Sequence, residues 1–473
     1  MPYVLGIDVG TSRTRAAVCR NAPAGWSDPV PVPLGTRHPG VPTVVRLAAD
    51  RSALVGDEAD RQAGADPIRV ARGFPGRIGD DVPLVLGGTP CTAQELTAVL
   101  IRWVVDRAAE QEGGPADALV VTHPARWGGH RKSLLHHELV RQGLERVTLV
   151  AAPTAIAETH PADVVATYTL GEGPAEVAVV RRTAAGTFEL LADAEGAEPV
   201  GGGHFDDAVL ACVRDQVGRA LDHLDPADPQ AWVAMARLRA MCTGAKEMLS
   251  TEAEVIVPVR LPDAPSDVRV SRADFERAVR PAVAASVDLL PRTLRAAGVD
   301  AADATVVLAG GSVRVPLVAE LVRATVPAFC PAEPDAVVAA GAAVTARKLI
   351  TGPDRAVAQR EVVPHTEVIQ RSAIAAYAGE RAMDPDDVVA RFGAEPPARP
   401  AVDVIPIDLP EPSLVPRLLS SVRPAALTAS TIALAAVGIV LTFVLESGSG
   451  NHSAPNPLHL GPAAPPATTA ASP

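Results

Sequence analysis

The stretch GIDVGTSRTR, Gly6 to Arg15, stands between two short apolar runs, Tyr3-Val4-Leu5 and Ala16-Ala17-Val18. Short apolar runs bounded by glycine and hydroxyl residues predict two buried strands joined by a tight hairpin at Gly10, Thr11 and Ser12. Glycine lets backbone N–H groups turn toward a phosphate with no Cβ in the way, and the two hydroxyls add donors. Asp8, at the strand end, supplies the oxygen that a hard cation such as Mg²⁺ takes through its water shell. An ordinary hairpin carries the same letters, so the rest of the chain decides between the two.

Working outward, strand-like runs recur at Thr43–Leu47, Ala118–His123, Val147–Ala151 and Val164–Leu170, with helical patterns at Ala93–Glu110 and His130–Gln142 between them. Strands alternating with helices predict an α/β layered domain around a largely parallel or mixed sheet. A second block repeats the opening of the first: a strand over Val164–Leu170, the turn Gly171-Glu172-Gly173, and a strand over Ala175–Val180. Two strand–glycine–strand hairpins predict two related lobes facing each other across a cleft. Amphipathic helices follow over Ala231–Ser250 and Arg272–Ala297. A strand at Thr305–Ala309 then runs into Gly310-Gly311-Ser312 and a helix from Pro316. That order places backbone donors at a helix N-terminus, where anions and polar rings bind. A last helix is predicted over Asp335–Lys348, with Asp335 as its N-cap after Pro334.

The chain has 473 residues, enough for two to three domain-sized units. Its apolar content is 48% with only 3% aromatic, so the core is built from Ala, Val and Leu. A net charge of −12 excludes the basic face that tracks nucleic-acid phosphates, and no nucleic-acid partner is expected. The five cysteines are scattered, with no CxxC pair, and read as small buried residues of a reduced compartment. Met1 leads directly into a strand, so no signal peptide is read. Lysine occurs only at Lys132, Lys246 and Lys348.

Residues 351–424 are rich in proline and charge and read as a linker. Ala425–Leu445 has no charge, and at 1.5 Å per residue roughly 20 such residues cross a hydrocarbon core of about 30 Å. It is predicted to be a single transmembrane helix, followed by a Gly/Ser/Pro/Ala/Thr tail over 446–473 with no lysine or arginine, expected to be disordered. Arg417 and Arg423 lie on the N-terminal side of the span, so residues 1–424 are expected in the cytoplasm and the tail outside the cell membrane.

In order, GIDVGTS, VPTVVRL (Val41–Leu47), LVGDEA (Leu54–Ala59), VVTHPARW (Val120–Trp127), RLRAMCTGAKEMLS (Arg237–Ser250), VVLAGGSVRVPLV (Val306–Val318) and EPDAVVAAGAAV (Glu333–Val344) resemble the seventy-kilodalton heat-shock chaperone (DnaK) family. They cover about residues 3 to 348, the family's nucleotide-binding domain. The resemblance implies the actin-like ATPase fold: two ribonuclease-H-like lobes, about 1–163 and 164–350, around a cleft for ATP or ADP with Mg²⁺. It implies nucleotide contacts at Asp8, Gly10, Thr11, Ser12, Gly171, Gly173, Gly201 and Gly202, with Asp8 toward the metal. It also implies that Lys246 and Ser250 lie near the adenosine, and that Gly310, Gly311 and Ser312 approach its ribose and base.

The chain departs from the family at several of these places. The second phosphate loop, DLGGGTFD in the family, is Thr169–Glu176, TLGEGPAE, so the aspartate of the metal-held water network is Thr169. The glutamate of EPTAA is Ala152, and the leading glutamate of the adenosine helix is Thr243. LGGEDFD becomes Val200–Asp206, VGGGHFD, and Pro75 stands where the first lobe's catalytic lysine belongs. No lysine precedes Lys132, and Arg77 would supply charge without the compact ammonium head. His123 and His204 read as a structural and an unassigned histidine, with no metal partner spacing. No peptide-clamping β-sandwich is legible in 351–424. The reading is therefore a membrane-anchored pseudo-ATPase docking module for a protein partner at the cytoplasmic membrane face, with nucleotide binding weak or absent and no catalytic residue assigned. An active ATP-dependent chaperone is the alternative. A sugar kinase of the same superfamily is the third, disfavoured by the chaperone-like RLRxxCxxAKxxLS helix.

Overall fold

The computed structural model describes residues 1–351 apart from 37, 51, 219–220, 222–227 and 261–264. The proline-rich stretch after residue 351, the predicted span at 425–445 and the tail lie outside the described residues. Among the described residues no helix is long and apolar enough to cross a membrane.

β1 (Tyr3–Val9) and β2 (Arg13–Ala22) form the predicted antiparallel hairpin, with Val9 opposite Thr14 and Asp8 opposite Arg15. α1 (Ala93–Glu112) follows, opened by a capping box in which Thr92 and Glu95 satisfy each other's backbone N–H. β3 (Ala118–His123) lies parallel to β1, and after α2 (Gly129–Arg141), β4 (Val147–Ala151) lies parallel to β3. The short α3 (Ala152–Ala157) closes this half. β1 is central, and its first five residues are fully covered, which is why it reads as a continuous apolar run rather than an alternating one.

The second half repeats the plan. β5 (Val164–Leu170) and β6 (Pro174–Arg182) form the hairpin, and β7 (Phe188–Pro199) extends it on one side. Next come α4 (Gly202–Val217), α5 (Pro229–Leu249) and the hairpin β8 (Glu254–Arg260) and β9 (Pro265–Ser271). α6 (Arg272–Val287) and α7 (Leu289–Ala296) occupy the stretch predicted as one helix, and the break falls at Asp288. β10 (Thr305–Ala309) is parallel to β5, and after α8 (Pro316–Thr325), β11 (Ala328–Phe329) is parallel to β10. Both sheets thus share one order, a parallel pair and then the hairpin, β4-β3-β1-β2 in one and β11-β10-β5-β6 in the other, with β7 beyond β6.

Each sheet has its own core. Tyr3, Leu5 and Ile7 pack with Leu96, Leu100 and Ile101 of α1, while Tyr168, Leu170 and Val177 pack with Phe205 and Val209 of α4. The last helix, α9 (Val337–Thr351), follows the second sheet in sequence but packs on the first. Its Ala339, Ala342, Ala343 and Ala346 lie on Val4, Ala17, Cys19 and Val120. Asp335 was predicted as the N-cap of this helix. It sits instead two residues before Val337, held between Arg15 of β2 and Arg314.

The approach of α9 is close enough to exclude side chains. A Cβ on Gly6 would collide with the backbone of Ala339, Ala342 and Ala343, and one on Gly341 would fall on the Ala155 carbonyl. Gly244, inside α5, has nothing within 4 Å of where its Cβ would stand. Gly341→Ala is expected to destabilise the protein by about 1–3 kcal/mol or more through forced backbone shifts. Gly244→Ala is expected to stabilise it by about 0.5–1 kcal/mol through the loss of glycine's backbone freedom. Thermal melting of the two variants side by side checks this, and shifts of the same sign would contradict the packing.

Candidate functional site

The first glycine hairpin is built as a cradle. Gly10 N–H donates to the Arg13 carbonyl at 3.1 Å, and a Cβ on Gly10 would stand 2.7 Å from that oxygen. Thr43 steadies the turn, donating its hydroxyl to the Gly10 carbonyl at 2.8 Å and its N–H to the Ser12 carbonyl at 2.9 Å. Thr11 and Ser12 are left exposed at the tip. Asp8 lies beneath it and accepts from the Thr122 hydroxyl at 2.7 Å. Burial pushes the Asp8 carboxyl up from its ordinary value, and Thr122 and Arg15 oppose that. Asp8 thus offers a hard cation a single carboxylate, the oxygen ligand type that Mg²⁺ takes alongside its own waters.

The second hairpin is tied down instead. Gly201 N–H donates to the Gly173 carbonyl at 2.9 Å and Gly202 N–H to the Gly171 carbonyl at 2.8 Å. Ser312 is buried, and its hydroxyl donates to the same Gly171 carbonyl at 2.7 Å. Gly310 has φ +95° and lies against the Leu170 carbonyl, so only glycine fits there. The Gly-Gly-Ser turn is therefore a clamp on the Gly171 loop, in addition to anything it offers a ribose or base.

Lys246, in the last turn of α5, pairs with Asp206 at 2.9 Å and donates to the Gly202 carbonyl at 3.2 Å. Thr243 donates to the other Asp206 oxygen at 2.9 Å. Ser250 is the C-cap of α5, its N–H bonded to the Glu247 carbonyl at 3.3 Å. The residues expected near the adenosine are thus grouped at one helix end beside the start of α4.

A small pocket brings together two of the departures from the family pattern. Ala152, Pro153 and Thr169 line it, together with Glu176, Arg126 and Asp193. Glu176 stands opposite Thr169 across the hairpin and next to Glu195 on β7. Burial, then Glu195 and Asp8, push the Glu176 carboxyl up from 4.5 to about 7, with Arg126 opposing. Arg126 reaches from the first half to Glu195 at 3.3 Å and Asp193 at 3.8 Å on the second, and Arg13 reaches Glu247 of α5 at 3.8 Å. Sequence reading found Glu176 but missed the role of these arginines, which lie inside the GIDVGTSRTR and VVTHPARW stretches but pair with residues that only the fold brings near.

Pro75 is buried beside Phe74 in a 3₁₀ turn, so the position expected for a lysine presents no cation. Arg77 donates to Asp80 at 3.1 Å and to the Val82 carbonyl at 3.0 Å. His123 lies within 2.8 Å of the Pro124 carbonyl through Nδ1 and stacks on Trp127, and burial pushes its pKa down. His204 is exposed in the first turn of α4. Among the described residues no group of three or more His, Cys, Asp or Glu is arranged to hold a metal ion.

Compared with known proteins, the chain matches the family described as Hsp70 protein over residues 79–373. It is 31% identical over 375 residues to the chaperone protein HscA homolog of Pseudomonas fluorescens, covering 73% of this chain and 57% of that protein. The HscA homolog of Pseudomonas putida is 32% identical over the same shares. The chaperone protein DnaK of Elusimicrobium minutum is 30% identical over 342 residues, 68% of this chain and 54% of that protein. The chain spans little more than half the length of these relatives.

Glu176 provides a test of this geometry. With its folded value near 7, above the ordinary 4.5, the native state keeps a proton that the unfolded chain has already lost. Stability contributed by this group is therefore present below about pH 4.5 and falls as pH rises to about 7. Glu176→Gln is expected to raise stability by about 1–3 kcal/mol at pH 8 and to change it little at pH 4. Denaturant melts at the two pH values check this, and a pH-independent difference would refute it.

Proposed function

Because the chain belongs to the Hsp70 protein family, we propose that it is a divergent, membrane-anchored member whose nucleotide cleft has lost hydrolysis and serves as a docking module for a protein partner. The observation that supports this most is the pocket at Ala152 and Thr169. Two positions where the family pattern has carboxylates line one cavity as an alanine and a threonine. The position of the first-lobe lysine is a buried proline, and Arg77 is engaged elsewhere.

Attack of water on a γ-phosphate depends on metal-held charge and a positioned nucleophile. When bound, Mg²⁺ neutralises phosphate charge, and Asp8 is the residue here that would hold it. Asp8 is held by the Thr122 hydroxyl and faces the Arg15 charge, and the exposed Thr11 and Ser12 would offer backbone and hydroxyl donors to phosphate oxygens. Thr169 and Ala152, at the two positions where the family pattern has carboxylates, cannot take the water's proton. Losing one such group costs about 10² to 10⁴ in rate, and two or three together bring turnover to background.

One observation favours an active ATP-dependent chaperone as a second reading: Glu176, with its value near 7, is in the range of a working general base. Turnover separates the two. The purified chain is expected to hydrolyse Mg-ATP no faster than an Asp8→Ala control. Steady turnover that Glu176→Gln abolishes would establish the active reading.

The membrane anchor rests on the uncharged run 425–445 and on Arg417 and Arg423 before it. On this reading residues 1–424 are cytoplasmic, the 351–424 stretch is a linker, and the tail is outside. Ser453→Cys is expected to react with an impermeant thiol reagent on intact cells. Labelling only after lysis would overturn the orientation.

A further inference from the structure

We propose that Glu172 is a built-in occupant of the phosphate side of the nucleotide cleft, a tethered carboxylate that selects against phosphate-bearing nucleotides. The proposal rests on the cleft reading above and adds to it the residue that decides what the cleft accepts.

Glu172 is the middle residue of the Gly171–Gly173 loop, and its side chain turns toward the start of α4. A Cβ on Gly202 would lie 2.7 Å from Glu172 Oε2, and one on Gly203 would lie 3.0 Å from Oε1. The carboxylate therefore spreads over the first turn of a 16-residue helix, where the two residues beneath it have no side chains. The same Gly202 position is 3.3 Å from Lys246 Nζ, so carboxylate and ammonium share one small space. Helix N-termini and an adjacent ammonium are what an anionic ligand group seeks, and here a side chain of the protein supplies the anion.

Two further facts make the occupancy effective. The loop that carries Glu172 is pinned by the Gly201, Gly202 and Ser312 bonds to its carbonyls, so it cannot swing aside as a unit. Lys246 is also the partner of Asp206, so one ammonium faces two acidic side chains; burial and Asp206 push the Glu172 carboxyl up from its ordinary value, and Lys246 opposes that. A phosphate arriving there meets a second carboxyl group beside the one that Lys246 already pairs. An uncharged nucleoside carries no charge for the Glu172 carboxylate to repel.

The test is calorimetric binding of adenosine and Mg-ADP to the full chain and to its Glu172→Gln and Glu172→Gly variants. Gln keeps the side-chain length and removes the charge, so its folding is not at risk. Adenosine is expected to bind all three alike, and Mg-ADP to bind the variants about 10- to 100-fold more tightly than the parent. A gain in Gly alone supports occupancy by bulk rather than charge. Unchanged Mg-ADP affinity in both variants, with adenosine bound, overturns this proposal and leaves the hydrolysis-deficient reading standing. Failure of adenosine and Mg-ADP to bind any of the three overturns it as well. ATP turnover by the parent chain would overturn the cleft reading instead.

Discussion

The contact between α9 and β1 is the constraint on which the rest of the molecule depends. A helix can lie directly on a strand's backbone only where both surfaces are nearly bare. Gly6 on one side and the alanines at 339, 342, 343 and 346 on the other provide that. The approach sets the depth of β1 in its sheet, and hence where Asp8 emerges at the strand's end. It also positions the segment before the helix, so that Asp335 reaches Arg15, the residue paired with Asp8 across the hairpin. Burial alone would push the Asp335 carboxyl up, but Arg15 and Arg314 outweigh it and hold it below the usual carboxylate range. Backbone packing and cleft electrostatics are thus one arrangement.

The two sheets solve the same mechanical problem with different chemistry. Each ends its central hairpin in a glycine turn with a close backbone approach, made by Gly10 itself in the first and by Gly201 and Gly310 packed against the loop in the second. In the first, Gly10 frees an exposed Thr11 and Ser12 above an acid. In the second, the carbonyls of Gly171 and Gly173 are spent on neighbouring N–H and hydroxyl groups, and the loop's own glutamate fills the space in front. The repeated topology preserves the scaffold while the acids around it have been redistributed, with Glu176 and Glu195 clustered where Thr169 and Ala152 no longer contribute.

Much of this architecture is written in local pattern. The strands at Ala118–His123, Val164–Leu170 and Thr305–Ala309 coincide with apolar runs because they lie inside their sheets, covered on both faces, whereas Val147–Ala151 is an apolar run at a sheet edge, half-buried after Val147. β7 escaped because it is a flanking strand of mostly exposed and half-covered residues, LLADAEGAE, with no apolar run to mark it. β8 alternates buried and exposed along Glu254–Arg260, a signal that was present and went unread. The Arg272–Ala297 pattern ran through Asp288 because the apolar positions of α6 and α7 keep nearly the same phase across the break. Within the site, the glycines were legible through their backbone role. The partners of Arg126, Arg13 and Glu172 were not, because each pairs residues that only the fold brings together.

Placing the final helix on the first sheet also fixes an order of events during synthesis. The face of β1, β2 and β3 formed by Val4, Ala17, Cys19 and Val120 has no cover until α9 leaves the ribosome, more than three hundred residues after β1. At about 5–20 residues per second, that interval is roughly 15 to 70 seconds. Throughout it the nascent first lobe carries an apolar face of its own making. A member of a chaperone family is therefore, while it is being made, the kind of chain that needs one.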